Sequence, residues 1–181
     1  MNNNNILNNV KIISNNIKIK KIKLHDVKNT VLLINECWKK AYKEIMSAEI
    51  LLKRENGIDK KIKNWKKGLN KRIIFVVEFE NKIVWCCEYI LNSDIKPADC
   101  EILILYVDIK YQSLGIGRTL VDFIKSKLKE LGKKAMIIRC LEENINARNF
   151  YKKIGGIELN ELVYFEFNNM KYKENIYLYK I

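Results

Sequence analysis

The chain has 181 residues, 48% of them hydrophobic, and a formal charge of +13 at pH 7. That length fits one domain with a substantial core, and no apolar run approaches the roughly 18 residues of a membrane-spanning helix. The 34 basic residues are mostly lysine, dispersed among Asn and Ile with no basic stripe interleaved with aromatics, so nucleic acid is not an expected partner.

Residues 1–16, "MNNNNILNNVKIISNN", are Asn-rich and low in complexity, and read as a disordered tail. They lack the charged, apolar and small-residue regions of a signal peptide, so a cytoplasmic protein is expected. Residues 17–181 then form a single domain. "IKIKKIKL" (17–24) alternates apolar and basic residues as a strand does. Asp26 can cap the helix that follows, whose apolar positions Val27, Val31, Ile34, Cys37, Trp38, Ala41 and Ile45 have helical spacing. Residues 46–60 read as a loop, and a second helix over 59–69 is anchored by Ile62, Trp65 and Leu69.

"RIIFVVEFE" (72–80) and "KIVWCCEYIL" (82–91) flank Asn81 as a tight hairpin. "CEILILYVDI" (100–109) is nearly continuous in apolar character, as suits a central strand covered on both faces. A long helix follows with Leu120, Phe123, Ile124, Leu128 and Leu131 as its core face, ending at Gly132. "AMIIRCL" (135–141) is another buried strand, 146–156 a short helix, and "IELNELVYFEF" with "KYKENIYLYKI" a last antiparallel pair around "NNM". This order, with seven strand-like segments, predicts an α/β (α+β) fold: a mixed sheet with helices on both faces.

The five cysteines include no C-x-x-C, and His25 stands alone at a strand-to-helix turn, so no metal site is expected. Four of the cysteines lie in apolar strand-like runs and read as buried free thiols, Cys140 among them.

Two of only seven glycines fall in "YQSLGIGRTLVDFIKSKL" (111–128), just before a helix. A helix N-terminus exposes unpaired N–H groups and a partial positive charge, and a glycine loop lets an anion approach them. Gly115 and Gly117 suit that role, with Arg118 adding charge and Thr119 a hydroxyl. The same pattern also fits a tight strand-to-helix turn with no ligand. It is not a Walker loop, since no Gly-Lys-Ser/Thr follows.

The wider context is more specific. "LYVDIKYQSLGIGRTLVDFI", followed about thirty residues later by "EENINARNFYKKIGG", resembles the GCN5-related N-acetyltransferase (GNAT) superfamily. The likeness extends over about residues 17–181 and implies a GNAT-like fold, a mixed, mostly antiparallel central sheet of about seven strands with helices on both faces. It implies that the loop Gln112-Ser113-Leu114-Gly115-Ile116-Gly117, with Arg118 and Thr119, binds the pyrophosphate of acetyl-CoA as co-substrate. It further implies that strands 100–109 and 135–141 splay apart to admit the pantetheine arm. Main-chain groups of Leu105, Tyr106 and Val107 would then bond that arm from one side, and Asn144 and Asn149 from the other. Tyr151 matches the tyrosine of the family's second motif and would be the general acid, although the residue alone also fits an aromatic packing helix to sheet. Glu101 is the candidate base, with Glu78 and Glu88 as alternatives on neighbouring strands.

The resemblance implies an acetyl-CoA-dependent N-acetyltransferase acting directly on a primary amine of a small molecule, protein or peptide. A homodimer is common among such proteins. Two other functions fit the same motifs: a non-catalytic acyl-CoA-binding or sensing domain, and an acetyltransferase acting on an RNA-linked amine. The chain departs from the family at Trp85, Ile109 and Gly156, where Gly, Pro and Phe are frequent. Trp85 is expected to narrow the acceptor side.

Overall fold

The computed structural model describes residues 11–14, 17–112 and 115–181. Its strands are β1 (Lys11–Ser14), β2 (Ile17–Lys21), β3 (Ile73–Phe79), β4 (Lys82–Ile90), β5 (Cys100–Val107), β6 (Ala135–Leu141), β7 (Ile157–Phe167) and β8 (Met170–Lys180). The helices are α1 (Val27–Tyr42), α2 (Ala48–Asn56), α3 (Ile58–Gly68), α4 (Ile116–Glu130) and α5 (Ile145–Lys153). One eight-stranded sheet runs in the order β1-β2-β3-β4-β5-β6-β8-β7, and only the β5–β6 pair is parallel.

Two segments differ from the sequence reading. Lys11–Ser14, placed there in the tail, instead forms β1 against β2; the adjacent β-branched Ile12 and Ile13 favour extended backbone. The rest of the tail lies outside the described residues. Residues 48–56, read as loop, are helix α2. Ser47 caps it by accepting from the Ile50 N–H at 3.4 Å. Only Ile50 of this helix is buried and Leu52 is exposed, so no apolar stripe announced it.

The hairpin between β3 and β4 turns on Glu80 and Asn81, whose φ values of 47° and 62° are the left-handed pair that a two-residue turn requires. Asn168 and Asn169 repeat the device between β7 and β8. Along β3, Ile74 and Val76 pack on the α1 and α3 side with Val31, Ile34 and Trp65. Phe75 and Val77 face the other way, toward Leu120 and Ile124 of α4 and Tyr151 of α5. Helices on both faces bury its middle, Ile74 to Val77, which explains the apolar run there.

The parallel pairing of β5 with β6 covers only Cys100–Ile102 and Met136–Ile138. Immediately beyond, the β4–β5 register slips: Tyr89 opposes Ile102 and Glu88 opposes Ile104, leaving Leu103 as an extra, half-exposed residue. A bulge bends the strand that carries it. β6 meanwhile continues alongside β8 as far as Leu141 opposite Glu174. The C-terminal halves of β5 and β6 therefore part, and the sheet has a gap in its middle.

Candidate active site

The gap is the centre of a cleft of about 900 Å³. On the α4 side its lining includes Gly115, Gly117 and Arg118 from the loop and first turn, and Asn144, Asn149 and Tyr151 from α5 and its cap. Leu105, Tyr106 and Val107 of β5 and Gln112 border it as well. The sequence-predicted residues thus come together, with exceptions. Ser113 and Leu114 lie outside the described residues. Ile116 packs against the core, and the Thr119 hydroxyl turns back to the Gly115 carbonyl at 3.4 Å. Neither lines the cleft.

Gly115 has φ +77°, a left-handed conformation that L side chains rarely adopt. It is the N-cap of α4, and no side chain caps the helix. Among the described residues the first helical bond runs from Thr119 N–H to the Gly115 carbonyl at 3.2 Å, and the N–H groups of Ile116, Gly117 and Arg118 lie in the turn before it. Gly117 makes room for a neighbour: a Cβ there would sit 2.9 Å from the tip of the Phe150 ring, which would have to shift. Arg118 donates to the Lys153 carbonyl at 2.7 Å and ties the start of α4 to the end of α5. The Gln112 amide donates to the Val107 carbonyl at 2.9 Å, closing the end of β5.

Asn144 caps α5, its side chain accepting from the Ala147 N–H at 3.1 Å. Tyr151 follows two turns later. It is 7% exposed, and its hydroxyl has no hydrogen-bond partner among the described residues. Burial holds the phenol well above its usual pKa, so it stays protonated.

Glu101 sits differently from what a free base requires. It is buried, does not line the cleft, and accepts from Arg139 at 2.9 Å. Burial pushes its carboxyl up and Arg139 pulls the other way, with a net upward shift. Arg139 also pairs with Asp94 at 2.8 Å. Glu78 and Glu88 are engaged by Lys20 and Arg72 respectively. Trp85 does not narrow the cleft: it is fully buried in the core on the α4 side, because its position in β4 points it away from α1. His25 is a largely exposed turn residue.

On the α1 side the cleft meets a group of which the sequence reading assigned only Tyr106 to the site, for its main chain. Trp38 and Tyr42 of α1, Tyr106 of β5 and Phe165 of β7 line it, together with Arg139 and Glu174. The Tyr42 side chain faces Asn144 and Tyr106. No described helix is long and apolar enough to cross a membrane.

An opened sheet with an uncapped helix N-terminus at one mouth defines a cleft for a long anionic ligand. The acetyltransferase (GNAT) family model matches residues 33–156, and the chain belongs to that family. An uncharacterized N-acetyltransferase in the pepI 3' region of Lactobacillus delbrueckii subsp. lactis is 32% identical over 73 residues, 40% of this chain and 42% of that protein. The match thus spans less than half of that relative's length. The PaiA N-acetyltransferase of Thermoplasma acidophilum, solved in complex with coenzyme A, superposes with a TM-score of 0.68 at 19% identity, over 91% of this chain and 99% of that one. A GCN5-related N-acetyltransferase structure from Rhodopseudomonas palustris gives 0.72 at 15%, over 94% and 99%. At those identities the likeness is one of fold.

Proposed function

We propose that this protein transfers an acetyl group from acetyl-CoA to a primary amine by direct attack in a ternary complex. The observation that carries the reading is the separation of β5 from β6 after Ile102 and Ile138, beside the uncapped start of α4. The residues fit the co-substrate. The N–H groups of the first turn of α4 and Arg118 suit a pyrophosphate, and beyond Ile102 the edge of β5 facing β6 pairs with no described strand, leaving main-chain groups for the pantetheine amides. The coenzyme A held by the Thermoplasma relative supports the same assignment.

In this reading Asn144 and Asn149 border the arm from α5. Tyr151 donates its phenolic proton to the departing thiolate, a role for which a protonated phenol at the cleft wall is suited. Holding amine and thioester in one gap lowers the barrier by orientation alone. Glu101 contributes by fixing Arg139 at the cleft wall.

The test is a thermal-shift titration with acetyl-CoA, followed by release of free thiol with an amine panel. A ligand at a hundred times its Kd stabilises the fold by about 2.7 kcal/mol. Arg118→Glu should abolish most of that shift, measured against the variant's own apo melting temperature because the bond to the Lys153 carbonyl is lost as well. Gly117 is a poor site for the test, since any side chain there meets Phe150. No stabilisation of the wild type by acetyl-CoA overturns the reading. Stabilisation without thiol release from any amine leaves an acyl-CoA-binding domain instead.

A further inference from the structure

Most carboxylates around the cleft are already spoken for. Glu101 is held by Arg139, Glu142 by Lys173 and Glu158 by Lys152. Glu174 is the exception. It lines the cleft, is partly buried, and has no hydrogen-bond or ion-pair partner among the described residues.

Its place in the sheet gives it a direction. Glu174 stands in β8 opposite Leu141 of β6 and Val163 of β7. Residues two apart in a strand share a face, and Tyr172 packs with Trp38 and Tyr42 under α1. Tyr151 and Tyr177 belong to the core on the α4 side. Glu174 and Tyr151 therefore reach the gap from opposite faces of the sheet.

We infer that Glu174 receives the ammonium of the acceptor and takes its proton, and that the acceptor is a primary amine carrying one positive charge on an apolar or aromatic body. This rests on the acetyltransferase reading above. A single unpaired carboxylate suits a single ammonium. The walls beside it, Trp38, Tyr42 and Phe165, offer aromatic surface to the remainder of the molecule. Lys40 at the cleft and Arg54, stacked 4.0 Å from the Trp38 ring, have no carboxylate partner among the described residues and repel a polycation.

The step balances. The acceptor arrives as R–NH3⁺ and gives one proton to Glu174, which passes it to solvent. The freed lone pair attacks the thioester carbonyl carbon, the N–C bond forms and the C–S bond breaks. Tyr151 protonates the departing sulfur, and the second proton lost from nitrogen restores the phenol. The products are R–NH–acetyl, free thiol and one proton.

The groups facing Glu174 act in both senses. Burial pushes its carboxyl above the ordinary range, Arg139 from β6 opposes this, and Glu101 from β5 adds to it. Tyr42 from α1 lies near it with a pKa raised by burial, and so neutral, while Cys140 of β6 sits on the α4-side face, its thiol likewise raised by burial. A raised carboxyl is the better proton acceptor for an amine.

The experiment uses 2-phenylethylamine and spermidine as acceptors, thiol release as the readout, and the thermal shift with acetyl-CoA as the control. Wild type should favour 2-phenylethylamine in kcat/KM by at least about tenfold. Glu174→Gln should keep the acetyl-CoA shift, lose about 100-fold or more in kcat/KM at pH 7, and recover as the pH approaches the pKa of the amine itself. Glu174→Asp should restore the wild-type shape of the pH profile at reduced rate. The inference is overturned if Glu174→Gln stays within about twofold of wild type with the same profile. It is also overturned if acetyl-CoA stabilises the wild type yet 2-phenylethylamine yields no thiol or spermidine is preferred. Absence of the acetyl-CoA shift in wild type removes the acetyltransferase reading itself, and this inference with it.

Discussion

The Tyr179 hydroxyl donates to the main-chain oxygen of Tyr151 at 2.9 Å, and Gly156 leaves the space for it. The contact holds the C-terminal turn of α5 to β8, and so fixes the residue assigned here as the acid. It also explains the missing aromatic at position 156. A Cβ there would lie 2.7 Å from the Tyr179 hydroxyl and 2.9 Å from the Tyr151 oxygen. Gly156→Ala is expected to cost about 1–3 kcal/mol as an overpacking change, read by urea unfolding. Adding Tyr179→Phe should recover only part of it, because the ring carbon Cζ is itself 2.8 Å from that Cβ.

Tyr151→Phe separates binding from chemistry. The ring remains, so the core and the acetyl-CoA thermal shift should be unchanged, while kcat falls by about 10²- to 10⁴-fold. The pH dependence carries a sign. The acid is active while protonated, and burial holds its pKa well above the usual value near 10. Wild-type kcat should therefore show no descending limb as the pH rises to 10. A descending limb centred below 9 with a good amine would remove Tyr151 from this role.

Much of this architecture was legible in the sequence because its signals are local. Unbroken apolar runs separated by Asn81 gave the β3–β4 hairpin, and helical spacing around Trp38, Trp65 and Phe123 gave three of the helices. The glycine loop and the Asn144-to-Tyr151 motif placed one face of the cleft. The other face was not legible, since it depends on long-range pairing. The strand separation was expected only from the family resemblance, since it follows a bulge at Leu103 that no glycine or proline marks. Glu101 looks like a free carboxylate until Arg139, 38 residues later, is seen to hold it. Glu174 could be placed in a strand, but which face it shares with Trp38 depends on the β8 register. Trp85 likewise read as a possible wall of the cleft until the register of β4 turned it into the core.

Glu88 and Arg72 make a second fold-level prediction. Arg72 Nε donates to Glu88 at 2.7 Å, its Nη2 engages the other carboxylate oxygen, and its guanidinium stacks 4.0 Å from the Trp65 ring. Glu88 is 5% exposed, so the pair joins α3 to the sheet through a largely buried charge. Glu88→Gln leaves the guanidinium without its counter-charge. Because Arg72 retains some solvent, the expected loss is about 2–3 kcal/mol, below the range for a fully buried pair. Urea unfolding checks it, and a loss under about 0.5 kcal/mol would mean the pair is as weak as a surface bridge.

Lys61 gives the stability of the fold a dependence on alkaline pH. Burial, aided by Arg54 and Arg72, lowers its pKa from 10.5 to about 8. A depressed base binds fewer protons folded than unfolded between those two values, so unfolding takes up a proton there. The penalty of burying the charge is present in full below about pH 8 and is relieved as the pH rises toward 10.5. Lys61→Met removes the ionisable group and keeps the apolar stem against Trp65. The variant should melt higher than wild type at pH 7, and the difference should shrink steadily by pH 10. Paired thermal melts across that range test it, and a constant difference would show that Lys61 titrates at its ordinary pKa in the folded protein.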